Sequence, residues 1–463
     1  MNEDSQSPAS HVAKAPFLNA PYSAYLHRDV PAEDAELTHV GPGTPGGEYL
    51  RSFWQPVAFS AELRDLPRAV RILGEDLVVF RDGSGRVGLV EMHCSHRGTS
   101  LEYGRIERRG IRCCYHGWLY DVDGKILETP TEPQNSTLRD RLFHGAYPVT
   151  EHAGLVFAFM GSPQRQQLPQ LPRYDFYSLP GYRVVPAGRA VLPCNWLQIK
   201  ENIMDPFHTV FLHAIITVQF AAWHAEAPEL AWSDSPIGTV AVASRRIGDY
   251  IWTRVNDFIL PNIHQFATDI DTDHPEQFAV EGPWETKWGV PIDDTHTMIM
   301  RLLHVKESAM SGMSPSEQAH GIDQMIAAAN IGEQPDPATP YEETQRHPGD
   351  YEAQVSQRPI AIHALERLGA TDRGITMLRK TLRRGIREVA AGSVPQDQAM
   401  EPSEVIETYA HQQLVRIPRK GSADEDRAVL QRVARHVAEN PKRFLGSRPD
   451  DLHRRIPLET IVA

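Results

Sequence analysis

Short apolar runs separated by polar turns dominate the chain from about residue 50. WQPVAFS, AVRILG, DLVVF and RVGLVEM are rich in Val, Leu, Ile and Phe, and text such as Gly83-Ser84-Gly85 supplies turn chemistry. IRCCYHGWLYD continues the series and runs into a second turn at Asp121-Val122-Asp123-Gly124. Residues 46–160 are therefore expected to form a small antiparallel β domain. Residues 1–45, rich in Pro, Gly, Ser and acids, read as a loosely structured arm that packs on another surface. The Pro-rich stretch 161–173 reads as a linker. In the region 174–463, VLPCNWLQIKENIMDPFHTVFLHAI at 191–215 has the look of a long helix. Segments 238–260 and 277–304 alternate as strands of one larger sheet. Residues 309–345 are expected to be irregular with short helices. Helical spacing returns at 363–392, with a break near Gly369, and again at 425–440. No repeat at solenoid periods is present. The pattern predicts an α+β protein: an all-β N-terminal domain, then a mixed α+β domain whose antiparallel sheet is flanked by helices.

Charge narrows the function classes. The chain of 463 residues has 47 basic and 60 acidic side chains and a formal net charge of −13, which disfavours a general nucleic-acid binder. No apolar run approaches the length needed to cross a bilayer, and the first residues do not resemble a signal peptide. A cytoplasmic location is expected. Three of the 4 cysteines fall close together, at Cys94, Cys113 and Cys114, which suggests metal before disulfide.

Two half-sites frame this cluster. Cys94-Ser95-His96 is followed, after sixteen residues, by Cys113-Cys114-Tyr115-His116-Gly117-Trp118. Each half offers a thiolate and an imidazole. A tetrahedral zinc could use such a set, although C-x-H is tight for a structural zinc site. An iron–sulfur cluster uses it differently, with both thiolates on one iron and both imidazoles on the other, which raises its potential. Gly98 and Gly117 permit tight backbone near the sulfurs. His93 falls outside the spacing.

The string CSHRGTSLEYGRIERRGIRCCYHGWLYDVDG resembles the cluster-binding segment of Rieske proteins, and more specifically of the ring-hydroxylating oxygenases. The resemblance implies a Rieske [2Fe-2S] domain at 46–160, with Cys94 and Cys113 as thiolate ligands and His96 and His116 as imidazole ligands. Cys114 stands where that family usually has proline and is read as a bystander.

The helical candidate contains Asp205, His208 and His213 in the form D-x-x-H-x-x-x-x-H. Histidines five apart do not share one face of a regular helix, so the helix must bend or break for them to converge. A non-haem Fe(II) that works with O₂ takes two histidines and one carboxylate on one face. ENIMDPFHTVFLH resembles the catalytic-iron motif of the same family, and HPGDYEAQVSQRPIAIHALERLGATDRG resembles its phthalate-dioxygenase-like group. The resemblance implies Asp350, 137 residues after His213, as the third ligand, with Glu352 as the main rival and Asp372 a weaker one. It also implies that Asp205 bridges the metal sites. Asp205 would accept a hydrogen bond from an iron histidine and meet His116 of a neighbouring subunit, in a trimer or stacked trimers. Asn202 is a candidate to touch the open side of the iron. Arg245, Arg246, Arg254 and Arg301 lie in the expected sheet region, where one could pair with a substrate carboxylate. Trp196, Phe207 and Phe211 are candidates to line an apolar cavity or simply core. PIDDTHTMIM at 291–300 resembles a strand of the family's catalytic sheet, with His296 read as a surface histidine.

Taken together, the resemblance implies a terminal oxygenase. It would use O₂ and electrons from a separate NAD(P)H-dependent flavin and iron–sulfur reductase. No Gly-rich nucleotide fingerprint follows a strand in this chain, which agrees with a separate reductase. The expected reaction is hydroxylation of a small substituted aromatic, with a carboxylate as one option. The alternative is O-demethylation or monooxygenation of an aromatic ether or related compound.

Overall fold

The computed structural model describes residues 20–24, 30–163, 168–213, 227–267, 274–330, 334–395, 404–419 and 421–455. The start of the arm, the middle of the expected linker, the end of the 191–215 segment and the terminal tail lie outside the described residues.

The arm is folded where it is described. Helices α1 (Ala35–Thr38) and α2 (Pro45–Arg51) bury Leu37 and Leu50 completely. Thr44 caps α2 by accepting from the Gly47 N–H, with Pro45 at the first helical position. Strands β1 (Gln55–Phe59), β2 (Arg68–Ile72), β3 (Glu75–Arg81) and β4 (Val87–Glu91) follow, then β5 (Arg105–Ile106), β6 (Ile111–Arg112), β7 (Leu119–Tyr120) and β8 (Ile126–Glu128). A short helix α3 (Leu138–Arg141) precedes β9 (Ala146–Tyr147), β10 (Val149–His152) and β11 (Leu155–Ala158). They form three antiparallel sheets, ordered β1-β11-β10, β2-β3-β4-β9 and β5-β6-β7-β8. The last two enclose a core of their own, with Val78, Phe80, Val90, Ile111, Trp118 and Tyr120 packed around Cys94 and Cys113.

The second half is built on one eight-stranded sheet. Strand β12 (Tyr182–Leu192) leads into helix α4 (Trp196–Ile203). β13 (Glu229–Ser235), β14 (Gly238–Ile247), β15 (Tyr250–Ile259), β16 (Ile263–Ala267), β17 (Pro283–Asp293) and β18 (His296–Lys306) come next. Their order is β12-β18-β17-β16-β15-β14-β13, with β19 (His411–Arg416) paired to β15 beside β16. Helices α5 (Pro315–Ala329), α6 (Tyr341–Arg346), α7 (Asp350–Val355), α8 (Arg373–Ala390), α9 (Ala423–Glu439) and α10 (Pro449–Arg455) complete the chain. The antiparallel sheet with helices around it is the α+β arrangement that the pattern predicts.

Local expectations fare unevenly. The single helix expected at 191–215 does not form. Residues 191–192 end β12, Asn195 caps α4 through the Leu197 N–H, and the helix stops at Ile203. Pro206 is the physical reason, because the residue before a proline is pushed out of helical backbone. The chain resumes as a π-helical turn at Thr209–His213. In the stretch 309–345, α5 is a regular 15-residue helix rather than irregular text, started by a capping box between Ser314 and Glu317. Segment 291–300 is not one strand but a hairpin turn between β17 and β18, with His296 exposed beyond it. β19 escaped notice because HQQLVR has no alternation: five of its six residues are buried.

One hydrophobic cluster runs through both halves. It joins Leu50, Val57 and Phe157 from the first to Trp196, Trp288, Met300 and Leu378 from the second. The β2–β3 turn adds hydrogen bonds from Leu73 and Gly74 N–H to the carbonyls of Pro291 and Ile292, each 2.8 Å. No helix of the described residues is long and apolar enough to cross a membrane.

Candidate metal centres

The two Cys/His segments fold as matching loops. In the first, Cys94 N–H bonds the Thr99 carbonyl at 2.9 Å and Gly98 N–H bonds the Cys94 carbonyl at 2.8 Å. In the second, Cys113 N–H bonds the Trp118 carbonyl at 2.9 Å and Gly117 N–H bonds the Cys113 carbonyl at 3.2 Å. The fifth residue of each loop has left-handed backbone, Gly98 at φ +76° and Gly117 at φ +74°, where any side chain is strained. This repeated frame is why both glycines follow their cysteine by four positions.

Cys94 and Cys113 are buried side by side, and Cys114 is exposed. The His96 and His116 rings meet edge to face with centroids 4.6 Å apart. His96 also stacks on Trp118, at 4.8 Å and 7°. His96 Nδ1 is buried with no hydrogen-bond partner among the described residues. A buried nitrogen left so is costly in an apoprotein and natural in a metal ligand. Two buried thiols beside two converging imidazoles fit a [2Fe-2S] cluster with mixed ligation. Burial raises the Cys113 thiol, and coordination to a metal deprotonates such a thiol outright.

The second centre gathers on the broken helix. Among the described residues, His208, His213 and Asp350 bring one ligand atom each to within 4.8 Å of one another. Asp350 Oδ1 lies 3.6 Å from His208 Nε2, and Oδ2 lies 3.4 Å from His213 Nε2. The π turn makes this possible: its i→i+5 repeat brings histidines five apart onto one side, where their rings lie 5.1 Å apart. Asp350 opens α7 and so presents its carboxylate from a helix end. Burial opposes its ionisation, but His213, His208 and Asn202 outweigh that and hold the carboxyl far below the usual range. Burial lowers His208, favouring the neutral imidazole that a metal needs. Two imidazoles and a carboxylate on one side fit a mononuclear non-haem iron.

The other named residues fall as follows. Asn202 donates to Asp350 Oδ1 at 3.1 Å and so holds the carboxylate. Glu352 turns away: its carboxylate accepts from Gly349 N–H at 2.8 Å and caps its own helix. Asp372 likewise accepts from Gly369 N–H at 2.6 Å. The Asp205 carboxylate accepts from Phe207 N–H at 2.9 Å. Within the chain it is the Asp205 backbone carbonyl, not the side chain, that meets His208 Nδ1. Burial raises the Asp205 carboxyl. Trp196 is core, Phe207 is half-buried, and Phe211 is exposed.

The sheet turns one face to this segment. The cross-strand pairs Arg245–Trp252, Phe258–His264, His264–Lys287 and Lys287–Arg301 place these residues on one side. From α4, the fully buried Lys200 donates to His264 Nδ1 at 2.7 Å. Arg245 reaches Thr209 Oγ1 at 3.4 Å, one residue beyond His208. Arg246 points elsewhere and pairs with Asp426. Arg254 donates to the Ala267 carbonyl at 3.0 Å. Sequence reasoning missed Lys200 and His264, because a lone lysine inside a helix and a lone histidine in a strand carry no spacing signal. It also missed Arg379, which clamps Glu201 beside Asn202 to Glu366.

The comparisons with known proteins agree with this geometry. The Rieske [2Fe-2S] domain family matches residues 53–148. The chain is 41% identical over 439 residues to the tert-butanol monooxygenase / tert-amyl alcohol desaturase oxygenase subunit of Aquincola tertiaricarbonis, covering 90% of each chain. It is 38% identical over 396 residues to the phenoxybenzoate dioxygenase subunit alpha of Ectopseudomonas oleovorans, covering 82% of this chain and 91% of that one. The crystal structure of dicamba monooxygenase bound to dicamba shares the fold, with a TM-score of 0.52, 18% identity, and coverage of 74% of this chain and 99% of that one. A paired Cys/His cluster fold joined to a two-histidine, one-carboxylate centre defines a two-site iron oxygenase. This chain belongs to the oxygenase subunits of the Rieske ring-hydroxylating systems. It is a terminal oxygenase whose cofactors are a Rieske [2Fe-2S] cluster and a mononuclear iron.

Proposed function

We propose that Cys94, His96, Cys113 and His116 hold the cluster, that His208, His213 and Asp350 hold the iron, and that the substrate is a small aromatic bearing a carboxylate. The convergence of His208, His213 and Asp350 carries the reading. The iron supplies O₂ chemistry that side chains cannot perform, and the cluster passes it single electrons. The protein's own part is to hold and orient. Asn202 fixes Asp350, α4 and the π turn fix the histidines, and the sheet face that carries Arg245 receives the substrate. Arg245 is the anchor we assign to the carboxylate, because it is buried and bonded beside His208. The phenoxybenzoate activity of one relative supports this class. The named tert-butanol monooxygenase activity of the other favours a second reading, monooxygenation in place of dihydroxylation. A separate NAD(P)H-dependent flavin and iron–sulfur reductase delivers the electrons, in the cytoplasm.

Turnover of aromatic acids and matched neutral analogues, with a reductase and O₂ and with products identified, tests the reading. Arg245→Met is expected to raise KM for a carboxylate substrate by about 10–100-fold, the worth of one charged hydrogen bond. KM for a neutral analogue should change little. Equal losses on both would remove Arg245 from substrate recognition.

Electrons reach the iron, in this proposal, across a subunit boundary in a trimer or stacked trimers, from His116 of one subunit through Asp205 of the next. The Asp205 carboxylate is held within the chain by backbone N–H groups, those of Phe207 and His208. Asp205→Asn should keep both metal centres and the oligomer yet slow cluster reoxidation by about 10–100-fold. Rapid mixing of pre-reduced enzyme with substrate and O₂ measures this. An unchanged rate would leave Asp205 as a turn cap, and a fully active monomer would end the intersubunit route.

A further inference from the structure

His144 is remote from both Cys/His motifs, yet it joins the two cluster loops. Its imidazole is almost fully buried, at 3% exposure. Nε2 lies 2.8 Å from the Glu91 carbonyl, and Nδ1 lies 2.7 Å from Ser95 Oγ. A carbonyl can only accept, so Nε2 carries the proton; burial favours the neutral ring, which then accepts at Nδ1. The Ser95 hydroxyl, between Cys94 and His96, therefore donates to His144. Against the face of the same imidazole packs Tyr120, with centroids 4.4 Å apart. Tyr120 is fully buried and stands two residues beyond the second loop, and its hydroxyl lies 2.9 Å from Cys94 Sγ. Against a metal-bound thiolate that hydroxyl can only donate. One imidazole thus pins the first loop through Ser95 and props the donor that leaves the second.

We propose that His144 is a positioning residue of the cluster site, which holds the Tyr120 hydroxyl on Cys94 Sγ and so sets the potential at which the cluster accepts its electron. Reduction adds negative charge that spreads onto the sulfurs. A hydrogen bond donated to Cys94 is stronger in the reduced state and makes reduction more favourable. The Tyr120 hydroxyl also meets the Ser95 backbone N–H, on the loop that His144 pins through the Ser95 hydroxyl. Without the buttress the Tyr120 ring and that loop both loosen, and the bond to Cys94 lengthens. The inference rests on Cys94 being a cluster ligand.

The test is a redox titration of the full-length, cluster-loaded protein, followed by electron paramagnetic resonance. Tyr120→Phe is expected to make one-electron reduction about tenfold less favourable, a fall of 59 mV. His144→Ala should shift the potential in the same direction with iron and sulfide content unchanged. The double variant should fall no further than Tyr120→Phe alone. A wild-type potential in His144→Ala overturns the proposal. So does a shift that adds in full to that of Tyr120→Phe, since His144 would then act by another route. If His144→Ala does not retain its cluster, His144→Gln decides. Its amide can still serve Glu91 and Ser95, but it lacks the ring that supports Tyr120. A lowered potential there supports the proposal, and a wild-type potential overturns it. Absence of any Rieske signal from the wild-type protein would remove the ligand assignment itself, an outcome distinct from an intact signal whose potential does not move.

Discussion

Asp350→Ala is expected to abolish turnover and release about one iron per chain, while the cluster keeps its absorption and resonance signals. The carboxylate sits between the two imidazoles, 3.6 Å from one and 3.4 Å from the other, and Asn202 fixes its Oδ1 at 3.1 Å. Its removal leaves two neutral nitrogens, which hold Fe(II) poorly. Nothing nearby on α7 replaces it, because Glu352 is committed to the Gly349 N–H. Glu352→Ala should therefore retain its iron and most of its activity, at the expense of a helix cap worth about 1 kcal/mol. Metal analysis of the two variants side by side decides the matter. Iron retained without Asp350 and lost without Glu352 would reverse the assignment. His208→Ala and His213→Ala should behave as Asp350→Ala does.

A comparably large effect is expected at the cluster, where neighbouring cysteines should part company. Cys113→Ser or His116→Ala should leave a protein without its brown colour, lacking acid-labile sulfide, and inactive even with iron at the second centre. Cys114→Ser should keep the colour and most of the activity. Cys113 is buried beside Cys94 and begins the hydrogen-bonded loop, whereas Cys114 is exposed. Sulfide analysis and the resonance of the reduced protein provide the readout. Equal damage from both serine substitutions would show that the wrong sulfur had been chosen. Colourless wild-type protein holding only zinc, after expression with ample iron, would falsify the cluster itself.

Two kinds of information separate in this protein. The class of both centres was legible in the sequence through its resemblance to the Rieske oxygenases, and the candidate cluster ligands keep fixed spacing because each pair lies on a loop that closes on itself. Cys94 to His96 and Cys113 to His116 are such loops, with glycine required at the left-handed position of each. The all-β first domain and the antiparallel sheet were legible for a related reason, because period-two alternation and turn residues are local properties. The continuous helix over 191–215 was a misreading with its correction in plain view. Pro206 ends that helix early, and the π turn that follows allows His208 and His213 to face one way. What only the tertiary structure decided are the contacts whose partners lie far apart in the chain. That the Glu352 carboxylate caps its own helix, while Asp350, which the resemblance already implies, faces the two histidines, is one such placement. The bonds from Asn202 to Asp350, Arg245 to Thr209, and His144 to Ser95 span 148, 36 and 49 positions. No periodicity or spacing rule reaches that far, because such partners are brought together by packing of the core and not by the geometry of a single strand, helix or turn.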